Sequence, residues 1–205
     1  MYNTGMSASP LPRDFYDRPV LDVARGLLGA RLVRVEEGRR LSGWIVECEA
    51  YRGEEDQACH ARRGRTPRTA VMYGPAGRAY VYFTYGMHWM LNCVTGPEGF
   101  PAAVLLRAVW PAEGRALMAE RRPGQPFARW TDGPAKLTQA LGVDGALNGA
   151  DLCSPAAGLW IEPALTAPEA QVVTGPRVGL GKTPEPWLSM PWRFRWTADL
   201  DGGQA

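Results

Sequence analysis

The stretch Trp44-Ile45-Val46-Glu47-Cys48-Glu49-Ala50-Tyr51 decides how this chain is read. Apolar and polar residues alternate in it with the period of two expected of a half-buried strand. Trp44, Val46, Cys48 and Ala50 form the apolar face; Glu47, Glu49 and Tyr51 form the other. Working outward, residues 31–35 read as the preceding strand, turned at Glu36-Glu37-Gly38. Residues 80–85 and 87–94 read as a tight strand pair about Gly86, and 102–109 as a further strong strand. A helix is expected after Asp17, with Pro19 in its first turn, Leu21, Ala24, Leu27 and Leu28 on one face, and Gly29 closing it. Pro111 is expected to open a helix reaching about Arg122, Asp132 to cap another over 134–141, and 171–174 to form a short strand. Strands come first, with helices interspersed and no repeat or dividing linker. The expected fold is therefore α+β: one compact domain over residues 10–198, with a curved, mostly antiparallel sheet flanked by helices. Residues 1–9 and 199–205 are expected to be flexible tails.

A chain of 205 residues with 45% hydrophobic content can bury one substantial core. Its net charge is only +2, so any affinity for a polyanion has to be local. The local concentration lies in the long loop 52–77, which holds Arg62, Arg63, Arg65 and Arg68; no acidic residue intervenes between His60 and Glu98. Long loops inside compact domains are commonly functional. Lys136 and Lys182 are the only lysines; arginine instead holds phosphates bidentately and stacks on rings. The four cysteines, Cys48, Cys59, Cys93 and Cys153, form no CxxC, which disfavours a disulfide framework, a zinc ribbon or an iron–sulfur cluster. His60 adjoins Cys59, but His88 is the only other histidine, so neither a metal nor any other cofactor is expected. No apolar run approaches the ~20 residues of a membrane span, and no secretory segment is visible. A soluble cytoplasmic protein is expected.

Arg107 interrupts the apolar run Ala102-Ala103-Val104-Leu105-Leu106-Arg107-Ala108-Val109. A guanidinium there needs a carboxylate or an anionic site: either a structural ion pair, or a place beside Glu49 where it helps position a water. A carboxylate among rings and low-dielectric walls suits a general base. Tyr51, Tyr82 and His60 are either ordinary core and cross-strand residues or the walls of a slot for a flat heterocycle. Tyr85, just before Gly86, is placed to project from a turn, where a ring can wedge into a base stack. Asn92 follows the run Met87-His88-Trp89-Met90-Leu91, and its amide either caps nearby backbone or faces a polar pocket. A basic strip, stacking rings and a carboxylate together point to chemistry on a nucleobase.

Several motifs in order carry a resemblance. Glu49-Ala50-Tyr51, His60, Arg65-Thr66-Pro67-Arg68, Met72, Tyr80-Val81-Tyr82, Tyr85-Gly86-Met87, Asn92, Leu105-Leu106-Arg107-Ala108, Gly133-Pro134-Ala135-Lys136-Leu137 and Arg177-Val178-Gly179 resemble the alkyladenine (3-methyladenine) DNA glycosylase family of vertebrate and bacterial type. The similarity runs from about Leu11 to Trp196. It implies that Glu49 is the carboxylate that activates water, with Arg107 and the backbone of Val178 helping to hold that water. It implies that Tyr51, His60 and Tyr82 stack on and border a flipped base, and that Tyr85 intercalates in the vacated place. Asn92 matches the residue that rejects the exocyclic amine of guanine. Arg65, Thr66, Met72 and Lys136 match positions that contact DNA or line the intercalation site. His88 stands where animal members carry a tyrosine, a departure that weakens that DNA contact or makes it pH dependent.

The resemblance thus implies a monofunctional base-excision glycosylase for alkylated or deaminated purines. Its expected partner is double-stranded DNA containing damaged purines, with no membrane association and a monomeric state. Two other classes remain at this point: a non-catalytic nucleic-acid binder using the same arginines and tyrosines, and a small-molecule enzyme on a formyl-transfer-like fold. The binder has no need of Glu49 or Arg107, and the small-molecule enzyme has none of a tyrosine at a solvent-facing turn.

Overall fold

The computed structural model describes residues 9–197 and Leu200, so the tails expected at 1–9 and 199–205 lie almost wholly outside the described residues. Strands β1 (Arg31–Glu36) and β2 (Arg39–Arg52) form a hairpin whose two turn residues, Glu37 and Gly38, both have positive φ, 48° and 74°. That geometry matches the right-handed twist of the flanking strands. β3 (Ala79–Thr84) and β4 (His88–Thr95) form a second hairpin, and β5 (Ala102–Glu113) follows. β6 (Leu159–Glu162), β7 (Val172–Gly175) and β8 (Arg193–Trp196) complete an 8-stranded sheet of order β3-β4-β5-β2-β1-β6, with β8 bridging β2 and β7. Every pairing is antiparallel. This is the expected α+β domain.

β2 is the axis of the sheet. One edge pairs with β5 along its length; the other pairs with β1 as far as Trp44 and with β8 from Glu47 to Glu49. Between those two partners the register slips. Ile45 opposes Val109, Glu47 opposes Ala108 and Cys48 opposes Leu106, which leaves Val46 and Arg107 without a partner across the β2–β5 ladder. An unpaired residue in a ladder reverses the parity of everything beyond it. The uniform apolar face expected from Trp44 to Ala50 is therefore corrected. Ile45, Cys48 and Ala50 face the core, while Trp44 and Val46 are half-exposed. Glu47, Glu49 and Tyr51 keep the shared face assigned to them.

Of the helices, α1 (Arg13–Tyr16) was not anticipated, and α2 (Val20–Gly26) starts after Pro19 without a side-chain cap from Asp17. Pro111 does not open a helix: β5 continues through it to Glu113, and α3 (Arg115–Arg121) begins after Gly114, at φ 72°. β4 pairs with β5 only as far as Leu105, so the far edge at Pro111 is open and a missing N–H is tolerated. α4 (Pro134–Leu141) follows Gly133, while Asp132 instead bonds Lys136 at 2.7 Å. The helices pack with Ile45, Cys48, Val104 and Leu106 into the main core. A second cluster of Cys59, Ala61, Met72, Tyr80, Val94 and Ala103 forms under loop 52–77, which folds into two 3₁₀ turns at His60–Arg63 and Ala70–Tyr73. No helix among the described residues is long and apolar enough to cross a membrane.

Candidate active site

A cavity of about 350 Å³ opens beside the second cluster. Its walls come from β2 (Tyr51), the first 3₁₀ turn (His60), the β3–β4 hairpin (Tyr80, Tyr82, Asn92), β5 (Leu105, Arg107) and the loop at Val178. Glu49 lies directly behind this wall, fully buried. One carboxylate oxygen accepts the Val178 backbone N–H at 2.6 Å and lies 3.4 Å from Arg107 Nε; the other accepts the Tyr51 hydroxyl at 2.8 Å. Burial raises the proton affinity of Glu49 above the ordinary carboxylate value. Arg107, the Val178 amide and the Tyr51 hydroxyl pull it back, in that order. A carboxylate poised in this way is a stronger base than a free one.

The rings form the slot. His60 and Tyr82 meet edge to face at 4.6 Å, and Tyr80 lies 5.2 Å from Tyr82 at 36°. His60 Nδ1 is 3.0 Å from the Tyr80 hydroxyl. Burial first, then the Arg68 and Arg62 charges, hold His60 down to about 4. The imidazole is therefore neutral at pH 7 and adds no positive charge of its own to the slot. Asn92 is nearly fully buried; its Nδ2 donates to the Tyr80 carbonyl at 2.9 Å, and the residue is part of the cavity lining.

At the cavity mouth, Tyr85 is 80% exposed at φ 51°, a conformation uncommon for a side chain of its size. Exposed Phe83 and Met87 flank it on the hairpin. Arg65 lies over the Tyr73 ring and Arg68 over Tyr82, while the Thr66 hydroxyl pairs with Thr69. Met72 is buried in the cavity wall, His88 begins β4, and Lys136 is ion-paired with Asp132 on α4. Glu49, Arg107, Val178, Tyr51, His60, Tyr82 and Asn92 thus converge, with Tyr85 at the rim; Lys136 stands apart from the cavity lining.

Two parts of the site escaped the sequence reading. Glu47 takes the Arg107 Nε–H at 2.8 Å, closer than Glu49 does. Asp56 and Arg177 form a fully buried pair. Arg177 also donates to the carbonyls of Ala50 and Trp187, and its guanidinium lies 4.7 Å from the Tyr51 ring centre. Asp56 accepts the backbone N–H groups of Arg52 and Ala58. The pair thereby ties together the end of β2, the His60 loop and the segment that presents the Val178 N–H. Asp56 reads locally as one more acid in Glu54-Glu55-Asp56, and nothing in that run signals a partner 121 residues away.

The family model described as methylpurine-DNA glycosylase (MPG) matches residues 14–199. The chain belongs to that family. Relatives carrying the provisional name 3-methyladenine DNA glycosylase include one from Myxococcus xanthus, 50% identical over 92% of this chain and 90% of its own length. One from Methanocella arvoryzae is 49% identical over 90% of each chain. One from Burkholderia lata is 46% identical over 90% of this chain and 86% of its own. In this member of the methylpurine-DNA glycosylase family, a ring-lined cavity has the buried Glu49 carboxylate behind its wall.

Proposed function

We propose that this chain is a monofunctional DNA glycosylase that acts as a cytoplasmic monomer through residues 10–198. It flips alkylated or deaminated purines of the 3-methyladenine type out of duplex DNA and hydrolyses the N-glycosidic bond. The observation that carries this reading is the Glu49 carboxylate, fully buried behind a cavity walled by Tyr51, His60 and Tyr82. The flipped purine stacks between those rings. Glu49 takes a proton from a water held with the help of Arg107 and the Val178 backbone. The water oxygen bonds to sugar C1′ as the C1′–N bond breaks, and the bonding pair leaves with the base. Positive charge developing on the sugar is offset by the carboxylate. Neutral His60 tolerates a purine made cationic by alkylation, and extrusion of a damaged or mispaired base costs less than that of a normal one. Arg65, Thr66, His88 and Lys136 serve the surrounding DNA surface, and Met72, buried in the cavity wall, lines the intercalation site.

Single-turnover assays on duplexes carrying 3-methyladenine, 7-methylguanine, hypoxanthine or ethenoadenine test the reading. Free base and an abasic site are expected, with full activity in chelator and no borohydride-trapped adduct. Duplex binding with every lesion left intact would point to a non-catalytic binder; a trapped adduct would overturn the monofunctional assignment.

Tyr85→Ala should weaken the flipped state, because no ring then replaces the lost stacking. Base–aromatic stacking is worth ~1–3 kcal/mol, so the flipping equilibrium should fall by roughly one to two decades. A fluorescent base analogue at the lesion reads this directly, and an unchanged signal contradicts the wedge.

Asn92→Ser should open the pocket to guanine. The bulk of Asn92 would meet the guanine 2-amino group, which adenine and hypoxanthine lack, so selectivity arises by clash. Excision of mispaired guanine should rise while alkylated adenine is still removed. Background guanine excision by a folded, active variant would remove Asn92 from this role.

A further inference from the structure

Arg107 sits between two carboxylates of the same strand, and it is not shared equally. Its Nε is 2.8 Å from Glu47 Oε1, a hydrogen bond, and 3.4 Å from Glu49 Oε1. Glu47 is partly solvated, with 21% of its side chain exposed, whereas the Glu49 side chain is fully buried. The bulged ladder produces this arrangement: Val46 and Arg107 fall out of register together, and the arginine side chain is set down beside Glu47. Resting on the proposed role of Glu49 as the base, the geometry points to Glu47 as a positioning residue: by engaging the Arg107 Nε–H it holds the guanidinium off Glu49 and leaves that carboxylate able to take a proton.

A guanidinium fully paired with Glu49 would stabilise its ionised form and weaken it as a proton acceptor. With no arginine at all, a buried anion would keep its two hydrogen bonds but lack a counter-charge. Glu47 sets the point between these extremes, because its negative charge both anchors the arginine and opposes ionisation of Glu49. The other charged and titratable groups around Glu49 leave this role to Glu47. Tyr51 donates to Glu49 from the same strand. Arg177 is engaged by Asp56 and lies over the Tyr51 ring. Arg193 on β8 reaches Glu47 at 3.9 Å, and Tyr82 acts only across the cavity.

The test is the pH dependence of single-turnover excision on duplex carrying 7-methylguanine, whose fixed positive charge removes substrate protonation from the profile. In the wild type, activity rises with pH through the ionisation of Glu49. In Glu47→Gln the acid limb should move about one pH unit lower, and the plateau rate should fall by about tenfold, while lesion-DNA affinity is unchanged. Glu47→Asp keeps the charge but shortens its reach, and should give an intermediate limb; it also carries the test if Glu47→Gln folds poorly. A Glu47→Gln limb at the wild-type position, whatever the rate, would reduce Glu47 to a structural residue and overturn the proposal. Glu49→Gln, run in parallel, separates the two claims. Excision retained by that variant removes the base itself, whereas excision lost there with an unmoved Glu47→Gln limb removes only the positioning role.

Discussion

Glu49→Gln should reduce single-turnover excision by roughly 10²–10⁴-fold while lesion-DNA binding stays within about tenfold, since the amide keeps the shape but cannot take a proton. The local hydrogen bonds favour a clean comparison. The amide oxygen can still accept the Val178 N–H, and Arg107 remains held by Glu47. Stability should move the other way from activity. Burial raises the Glu49 proton affinity in the fold, so the folded state holds this proton more tightly than the unfolded chain. The ionised carboxylate therefore costs stability once pH rises above the elevated folded value, and a neutral amide removes that cost. At neutral pH the variant should melt at or above the wild-type temperature. Near wild-type excision by Glu49→Gln would mean that the base is another group.

Asp56→Ala should be among the most destabilising single substitutions in the molecule. Both Asp56 and Arg177 are fully buried, and removal of one partner leaves a charge with nowhere to discharge. Breaking such a pair costs ~3–5 kcal/mol, which in a domain of this size lowers the melting temperature by roughly 6–20 °C. The N–H groups of Arg52 and Ala58 lose their acceptor as well. Activity per folded molecule should fall too, since Arg177 adjoins the amide that bonds Glu49. Thermal melting within a degree or two of wild type would show that water or another group compensates the buried arginine.

The strands were legible because their patterns are local: β1 to β4 appear close to where the sequence puts them, and β5 starts where its apolar run does but continues four residues past the expected end. What alternation cannot reveal is a change of phase, since Trp44 and Val46 look as suited to a core as Ile45 does. Only the partner strand decides which of them is left over. Pro111 misled for a related reason, because its tolerance inside β5 depends on an edge that β4 leaves open. In the site, the convergence of Glu49, Tyr51, His60, Tyr82, Asn92 and Arg107 was readable from residue type together with family resemblance. The Asp56–Arg177 tie and the unequal grip on Arg107 were not, because both are properties of the assembled fold and of distances within it.

The placement of Glu49 on β2 also bears on which parts of the molecule yield first. Its chain neighbours Cys48 and Ala50 are fully buried, and at this point the strand is bonded on both edges, by β5 and β8. Backbone so enclosed opens only with the whole domain, whereas hairpin tips and 3₁₀ turns open at far smaller free energies. The hairpin tip at Tyr85 can therefore move many times over while the carboxylate on β2 stays where the sheet put it. In deuterated solvent the two regions should exchange on widely separated clocks, the hairpin tip early and the strand that carries the carboxylate last.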